Sequence, residues 1–121
     1  MKLYSLFVFA LLLFACNTEQ PAGIHLLNPQ DFESAINSDQ VKLIDIRTAE
    51  EFQEGSIAYA QNIDFYAEDF MDQMGQFDKS EPLYIFCRSG GRSGKASKML
   101  VEAGFNSVYD LDGGYLTWSD R

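Results

Sequence analysis

A cysteine followed by a glycine-containing loop is the part of the sequence best suited to chemistry. The stretch reads Cys87-Arg88-Ser89-Gly90-Gly91-Arg92-Ser93. A thiolate is a nucleophile, and its reactivity depends on neighbouring groups that stabilise its negative charge. The glycines allow successive backbone N–H groups to turn toward one point, an arrangement that binds anions. We therefore expect Cys87 to be a nucleophile whose charge is supported by the loop.

The charges around this cysteine differ in sign from those of the whole chain. Arg88, Arg92, Lys95 and Lys98 lie between positions 87 and 98 without an intervening acid, whereas the chain has a formal net charge of −9. A local excess of cations on an acidic protein attracts anions to that site. The sequence therefore predicts an anion site around Cys87.

The elements on either side of the loop predict where the thiol lies. The run Leu83–Phe86 is apolar without alternation, which is typical of a strand buried on both faces of a parallel sheet. After the loop, an apolar stripe of helical spacing ends at Gly104; its members are Ala96, Met99, Leu100 and Ala103. Cys87 would then lie between the carboxyl end of a strand and a helix N-terminus, where α/β proteins bind ligands.

The rest of the chain predicts alternating strands and helices. Strands are expected at Ile24–Leu27, Val41–Ile46 and Ser107–Leu111, and helices after Asn28-Pro29, from Thr48 to Phe52, from Phe65 to Gly75 and after Gly113-Gly114. In the third of these helices Phe70, Met71 and Met74 would form the apolar face, and Trp118 would belong to the core. This order predicts a small α/β domain with a mainly parallel central sheet and helices on both faces.

Length and composition indicate one folded, monomeric domain. The chain has 121 residues, of which 46% are hydrophobic, and this excludes disorder for most of it. Its acidity argues against a nucleic-acid partner. One histidine, His25, and two separated cysteines do not make a zinc site, and no cofactor is predicted. His25 lies in a predicted strand, so a reaction that needs a Cys–His pair is disfavoured.

The N-terminal segment resembles a bacterial lipoprotein signal. Residues 1–15 contain a basic start and a short apolar run, which suits a signal peptide better than a transmembrane helix. Leu13-Phe14-Ala15-Cys16 resembles a lipoprotein box, with lipid on the Cys16 thiol; the alternative is an ordinary secretory signal. We expect residues 16–23 to be a tether and residues 24–121 to be an exported domain, anchored to a membrane of the cell envelope. Cys87 would then be the only free thiol.

Several motifs together resemble the single-domain rhodaneses, a family of sulfurtransferases. They are the Cys87–Ser93 loop, Asp45-Ile46-Arg47, Glu51-Phe52, Gly55-Ser56-Ile57, Asn62-Ile63 and Asp112-Gly113-Gly114-Tyr115. The resemblance implies a persulfide on Cys87, loaded from a small sulfur-containing anion such as thiosulfate and discharged to a thiol or cyanide. It also implies that the loop residues Arg88 to Ser93 bind the persulfide and the anion. Ser56 departs from the family, which usually has histidine there.

Asp45 and Arg47 are candidate supporting residues at the end of the second predicted strand. Asp45 would hold Arg47 or a loop amide in place; the alternative is an acid solvated at a strand end.

Three other functions compete with sulfur transfer. Phosphatases and arsenate reductases have a similar loop but place arginine six residues after the cysteine, whereas Arg92 is the fifth and Ser93 the sixth. The loop is therefore expected to be one residue too small for a tetrahedral oxyanion. A module that binds sulfur or an anion without turnover is the second rival, and a structural lipoprotein domain is the third.

Overall fold

The computed structural model describes residues 22–38 and 40–121. Its elements are β1 Ile24–Leu27, α1 Pro29–Ser38, β2 Lys42–Asp45, α2 Ala49–Glu54, β3 Gln61–Asn62, α3 Phe70–Met74, β4 Leu83–Phe86, α4 Gly91–Glu102, β5 Val108–Leu111 and α5 Gly114–Ser119. The predicted signal peptide and Cys16 lie outside the described residues, as does most of the predicted tether. Across the described ranges, no helix has the length and apolarity needed to cross a membrane.

Five parallel strands form one sheet in the order β1-β5-β4-β2-β3. The middle position belongs to β4, where Ile85 is in register with Ile44 of β2 and with Asp110 of β5. All four residues of β4 are buried, as its continuous apolar run predicts. The predicted fold class is therefore confirmed, and the strand that leads into Cys87 is the centre of the sheet.

Helices cover both faces of the sheet and enclose two apolar clusters. The first cluster lies under α3 and α4 and includes Phe70, Met74, Leu100 and Ile85. The second lies under α1 and α5, where Phe32 meets Trp118 edge to face with ring centroids 6.2 Å apart. Each cluster buries apolar surface that neither the sheet nor a helix could cover alone.

Capping residues place the starts of the first two helices where the sequence predicts them. The Oδ1 atom of Asn28 accepts a hydrogen bond from the Asp31 amide at 2.8 Å, ahead of Pro29. Thr48 and Glu51 form a complete capping box at the start of α2. These bonds satisfy amides that the first turn of a helix leaves free.

Two short elements differ from the prediction. The helix expected from Phe65 to Gly75 is confined to Phe70–Met74, and residues 65–69 form turns. Within it Phe70 and Met74 are buried and Met71 packs beside them, as predicted. The two-residue strand β3 was not predicted, because a run that short carries no periodicity.

The buried face of α4 is rotated from the predicted one. Met99 is 38% exposed and Ala103 lies on the surface, while the residues turned inward are Ser93, Ala96, Ser97 and Leu100. Two of these are serines, and a buried face predicted from apolar residues alone does not include them. The Ser97 hydroxyl donates to the Ser93 carbonyl at 2.8 Å, so it is buried with a partner. This rotation brings Ser93 beneath the cysteine loop.

Candidate active site

Cys87 follows directly after the central strand β4 and is 1% exposed. From β2 the chain continues outward to β3 on one side of the sheet, and from β4 it continues to β5 on the other side. The switch point of the sheet therefore lies between β2 and β4. Ligands of open α/β sheets bind outside the carboxyl ends of strands at such points. Within the described residues Cys87 is the free cysteine.

The first turn of α4 surrounds the sulfur with hydrogen-bonding groups. The Gly90 amide donates to Cys87 Sγ at 3.1 Å, and the Ser93 amide lies 3.4 Å from the same atom. The thiol in turn donates to the Ser93 hydroxyl at 3.4 Å. Gly90 has φ +108°, a conformation that side chains with a Cβ rarely adopt. Amides and the positive end of the helix dipole thus converge on one sulfur atom.

Helix α5 holds the loop from its other side. The amides of Tyr115 and Leu116 donate to the carbonyls of Cys87 and Arg88 at 2.8 and 3.0 Å. Gly114 makes this approach possible, since a Cβ there would lie 2.7 Å from the Cys87 carbonyl oxygen and would also overlap Arg88. With these carbonyls directed toward α5, the loop amides are left to face the sulfur.

Arg92 is engaged by a carboxylate rather than open to solvent. Its guanidinium makes two parallel contacts with Glu51, at 2.7 and 3.0 Å. The Arg92 hydrogen bonds lower the pKa of Glu51 to about 2, and the same pairing raises the pKa of Arg92. Glu51 also closes the capping box of α2, so this ion pair fastens the cysteine loop to α2.

The remaining cations of the loop region lie on the surface. Arg88, Lys95 and Lys98 are exposed, and the guanidinium of Arg88 makes no hydrogen bond or ion pair to any residue between 22 and 38 or 40 and 121. The structure therefore separates the two predicted anion ligands. Arg88 is available to a solute, whereas Arg92 would have to release or share Glu51; its role as an anion ligand stays a prediction.

Asp45 and Arg47 form a buried pair behind the loop. The guanidinium of Arg47 reaches Asp45 at 2.7 Å and the Gly55 carbonyl at 2.6 Å, and it stacks 4.3 Å from the centre of the Tyr115 ring. Ser56 donates a further hydrogen bond to Asp45 at 2.8 Å. Asp45 thus holds Arg47, the first of the two alternatives raised above, and Arg47 supports α5.

His25 and the acidic residues do not build a metal site around Cys87. His25 is exposed on the edge strand β1 and stacks on Tyr109 with ring centroids 4.6 Å apart. In the part of the chain that the structure describes, no three His, Cys, Asp or Glu side chains are grouped to hold a metal ion.

Sequence reasoning missed two acids that belong to this region. Glu51 was recognised as a capping residue but not as the partner of Arg92, which is 41 positions away. Asp110 was not singled out, although it is an acid inside the apolar strand β5 and only 4% exposed. The signal for Asp110 was available, because a charged residue within an apolar strand is unusual.

Comparisons with known proteins agree with this geometry. Residues 28–121 match the family model described as "Rhodanese-like domain". The chain is 38% identical to the thiosulfate sulfurtransferase GlpE of Shewanella oneidensis over 80 residues, which cover 66% of this chain and 77% of that protein. It is 36% identical to thiosulfate sulfurtransferase 16, chloroplastic, of Arabidopsis thaliana over 88 residues, covering 64% and 73% of the two chains.

A solved structure shows the same arrangement of elements. The crystal structure of a rhodanese-like domain protein from Staphylococcus aureus superposes with a TM-score of 0.69 at 28% identity, covering 78% of this chain and 90% of that one. The family match spans strands β2 to β5, the cysteine loop and both flanking helices. This chain belongs to the rhodanese-like domain family.

Proposed function

We propose that the protein is a sulfurtransferase that carries sulfane sulfur on Cys87. The observation that supports this proposal is that the Gly90 and Ser93 amides are directed at the sulfur of Cys87, at the end of the central strand. Such donors stabilise an anionic sulfur, whether a thiolate or a persulfide. Relatives named thiosulfate sulfurtransferases support the same reaction class.

The loading step uses thiosulfate or a similar anion. The Cys87 thiolate attacks the outer sulfur of thiosulfate, the S–S bond of the donor breaks, and sulfite leaves with the bonding electron pair. Cys87 then holds one extra sulfur as a persulfide anion, so charge and atoms balance. Arg88 attracts the dianionic donor from solution, because its guanidinium is exposed and has no ion-pair partner among the described residues.

The discharge step returns the enzyme to its starting state. A thiol or cyanide attacks the outer sulfur, and the electron pair of the breaking S–S bond stays on Cys87 Sγ. The backbone donors remain in place for both steps, because α5 and the Arg92–Glu51 pair hold the loop from two sides. Preorganised donors of this kind need no rearrangement during the reaction.

Mass spectrometry of the protein after exposure to thiosulfate tests this proposal. We expect wild type to gain one sulfur atom, to release sulfite, and to lose the sulfur to cyanide as thiocyanate. Cys87→Ser should gain none, since a hydroxyl does not carry sulfane sulfur. Aryl phosphate turnover faster than sulfur transfer would favour the phosphatase alternative, and a persulfide that resists both cyanide and thiols would favour a binding module.

Arg88→Ala is expected to weaken loading without preventing it. Removing a charge that assists anion binding costs about 1.5–3 kcal/mol, or roughly ten- to a hundred-fold in the loading rate at low thiosulfate. Lys95→Ala is a control with the same change of net charge on an exposed residue. Equal loading rates for Arg88→Ala and wild type would show that Arg88 does not help to bind the donor.

A further inference from the structure

Asp110 is a buried carboxyl group that the loading and discharge steps above do not use. It lies on β5 in register with Ile85 and is 4% exposed, and its Oδ1 atom accepts no hydrogen bond from the residues that the structure describes. Asp45, another buried aspartate of the sheet, accepts several. A buried carboxyl oxygen without a donor is costly, so Asp110 calls for an explanation.

Asp110 lines an open groove beside the cysteine loop. The groove is lined by Ile24, Leu26, Ser89, Gly90, Lys98 and Asp112 together with Asp110. Gly90 joins this groove to the reactive centre, because its amide donates to Cys87 Sγ at 3.1 Å. A small molecule in the groove would therefore lie between the Asp110 carboxyl and the loop that holds the sulfur.

The charged groups around Asp110 are few. Helix α4 contributes Lys98, the turn after β5 contributes Asp112, and β1 presents only apolar Ile24 and Leu26 to the groove. Burial raises the pKa of Asp110 to about 6, and Asp112 adds to the rise. The Ser93 hydroxyl lowers this pKa in part, although it makes no hydrogen bond to Oδ1.

We propose that this groove binds the acceptor thiol and that Asp110 takes the thiol proton as the persulfide is discharged. This inference rests on the proposed sulfur transfer at Cys87. In the step, the S–H bond of the acceptor breaks and its proton moves to the Asp110 carboxylate. The acceptor sulfur bonds to the outer sulfur, and the electron pair of the old S–S bond stays on Cys87. One thiol, one persulfide anion and one carboxylate become a new persulfide anion, a thiolate and a carboxylic acid.

The groove suits an uncharged thiol better than an anionic acceptor. Asp110 and Asp112 outnumber the one cation of the groove, Lys98, so the groove repels a dianion such as sulfite at neutral pH, whereas a neutral thiol enters at no such cost. A base that titrates near neutral pH is also better matched to a thiol than an ordinary aspartate, and it remains ionised at pH 7. Apolar Ile24 and Leu26 of the neighbouring strand β1 line the same groove and offer contact to the carbon part of the acceptor.

Single-turnover discharge of the thiosulfate-loaded protein tests the inference. The acceptors are 2-mercaptoethanol, which carries a proton on sulfur, and sulfite at pH 8, which is largely a dianion. We expect Asp110→Asn to slow discharge by 2-mercaptoethanol about ten- to a hundred-fold and not to slow discharge by sulfite, which brings no proton on sulfur. Asp110→Glu keeps a carboxyl group and should recover part of the rate. Glu81→Gln removes one exposed negative charge at the far end of β4 and should match wild type.

The pH profile of wild type is an independent measurement that needs no variant. With Asp110 as proton acceptor, discharge by 2-mercaptoethanol should level off above about pH 6. Without it, only the thiolate reacts, and the rate should rise about ten-fold per pH unit until the thiol itself ionises. A continuing rise overturns the proposal, as does equal slowing of both acceptors in Asp110→Asn. Failure of wild type to load from thiosulfate would instead reject the proposed function.

Discussion

At the scale of single residues, Ser56 shows how one hydroxyl completes a buried ionic network. Asp45 and Arg47 are both less than 5% exposed, and two charges buried together need every available donor. Ser56 donates to Asp45 at 2.8 Å in the position where the family usually has histidine. Ser56 completes the set of donors to this carboxylate, because the backbone at 55–57 brings its hydroxyl within hydrogen-bond distance.

Changes in this network should have graded effects on stability. Ser56→Ala removes one hydrogen bond to a carboxylate and should lower the free energy of unfolding by about 1.5–3 kcal/mol. Asp45→Asn leaves the Arg47 guanidinium buried without a countercharge and should lower it by about 3–5 kcal/mol. Urea unfolding at pH 7 measures both. Equal losses, or a larger loss for Ser56→Ala, would contradict the central position of Asp45.

Glu51 should make stability depend on pH in a defined direction. Its pKa in the folded protein is lowered from 4.5 to about 2, so the pair with Arg92 stabilises the fold above pH 4.5 and loses that contribution as the pH falls toward 2. The side chain is 25% exposed, and solvent screening reduces the effect. Glu51→Gln should cost about 1–3 kcal/mol at pH 7, a difference that shrinks steadily below pH 4.5. A cost independent of pH would show that the ion pair is not its source.

At the scale of elements, the active-site loop is held between two helices. Helix α5 accommodates two loop carbonyls at its N-terminus, and α4 directs its first amides at the sulfur. The glycine at position 114 has φ +62° and sits against the loop backbone, so the contact between α5 and the loop depends on the absence of a side chain there. Loop geometry is therefore a consequence of how α5 packs.

Gly114→Ala should disturb both stability and loading. Its Cβ would overlap the Cys87 and Arg88 carbonyl groups, and relief requires movement of α5 or the loop. We expect a loss of about 2–4 kcal/mol in the free energy of unfolding and slower persulfide formation from thiosulfate. Gly94→Ala is the matched control for stability, because its Cβ would meet no atom within 4 Å and lies inside α4. It should stabilise the protein by about 0.5–1 kcal/mol. Comparable losses in the two variants would exclude steric overlap as the cause.

At the scale of the whole molecule, the rhodanese-like domain and the N-terminal segment are proposed to make separate contributions. The family match begins at residue 28, after the proposed lipid anchor and tether. We propose that Cys16 carries lipid and holds the domain at the surface of a cell-envelope membrane. An exported domain whose free thiol is buried beneath its loop would be protected from nonspecific oxidation.

Fatty-acid labelling in a bacterial host tests the anchor. Wild type should take up labelled lipid and fractionate with membranes, whereas Cys16→Ser should do neither, since lipid attachment requires the thiol. Cys87→Ser is the matched control and should label like wild type, because Cys87 is buried in the folded domain. Labelling of Cys16→Ser, or none of wild type, would reject the proposal.

Much of the fold and the position of the nucleophile followed from local features of the sequence. The apolar run of β4, the capping box at Thr48 and the double glycine at the start of α5 each act over a few residues, so their geometry can be predicted without tertiary contacts. Together they placed Cys87 between a strand and a helix. The motifs that resemble the rhodanese family then indicated the chemistry expected of Cys87.

Tertiary packing decided which groups surround that nucleophile. Helical spacing identifies candidate buried faces of α4, but packing of the helix against the sheet determines which face is buried. The buried face is the one with Ser93, and Met99 lies on the surface. The pairing of Arg92 with Glu51 depends on the contact between α2 and the cysteine loop. The burial of Asp110, whose Oδ1 accepts no hydrogen bond from the described residues, likewise depends on tertiary packing. Such contacts join residues far apart in the chain. Their energies depend on burial and distance, which local sequence does not specify.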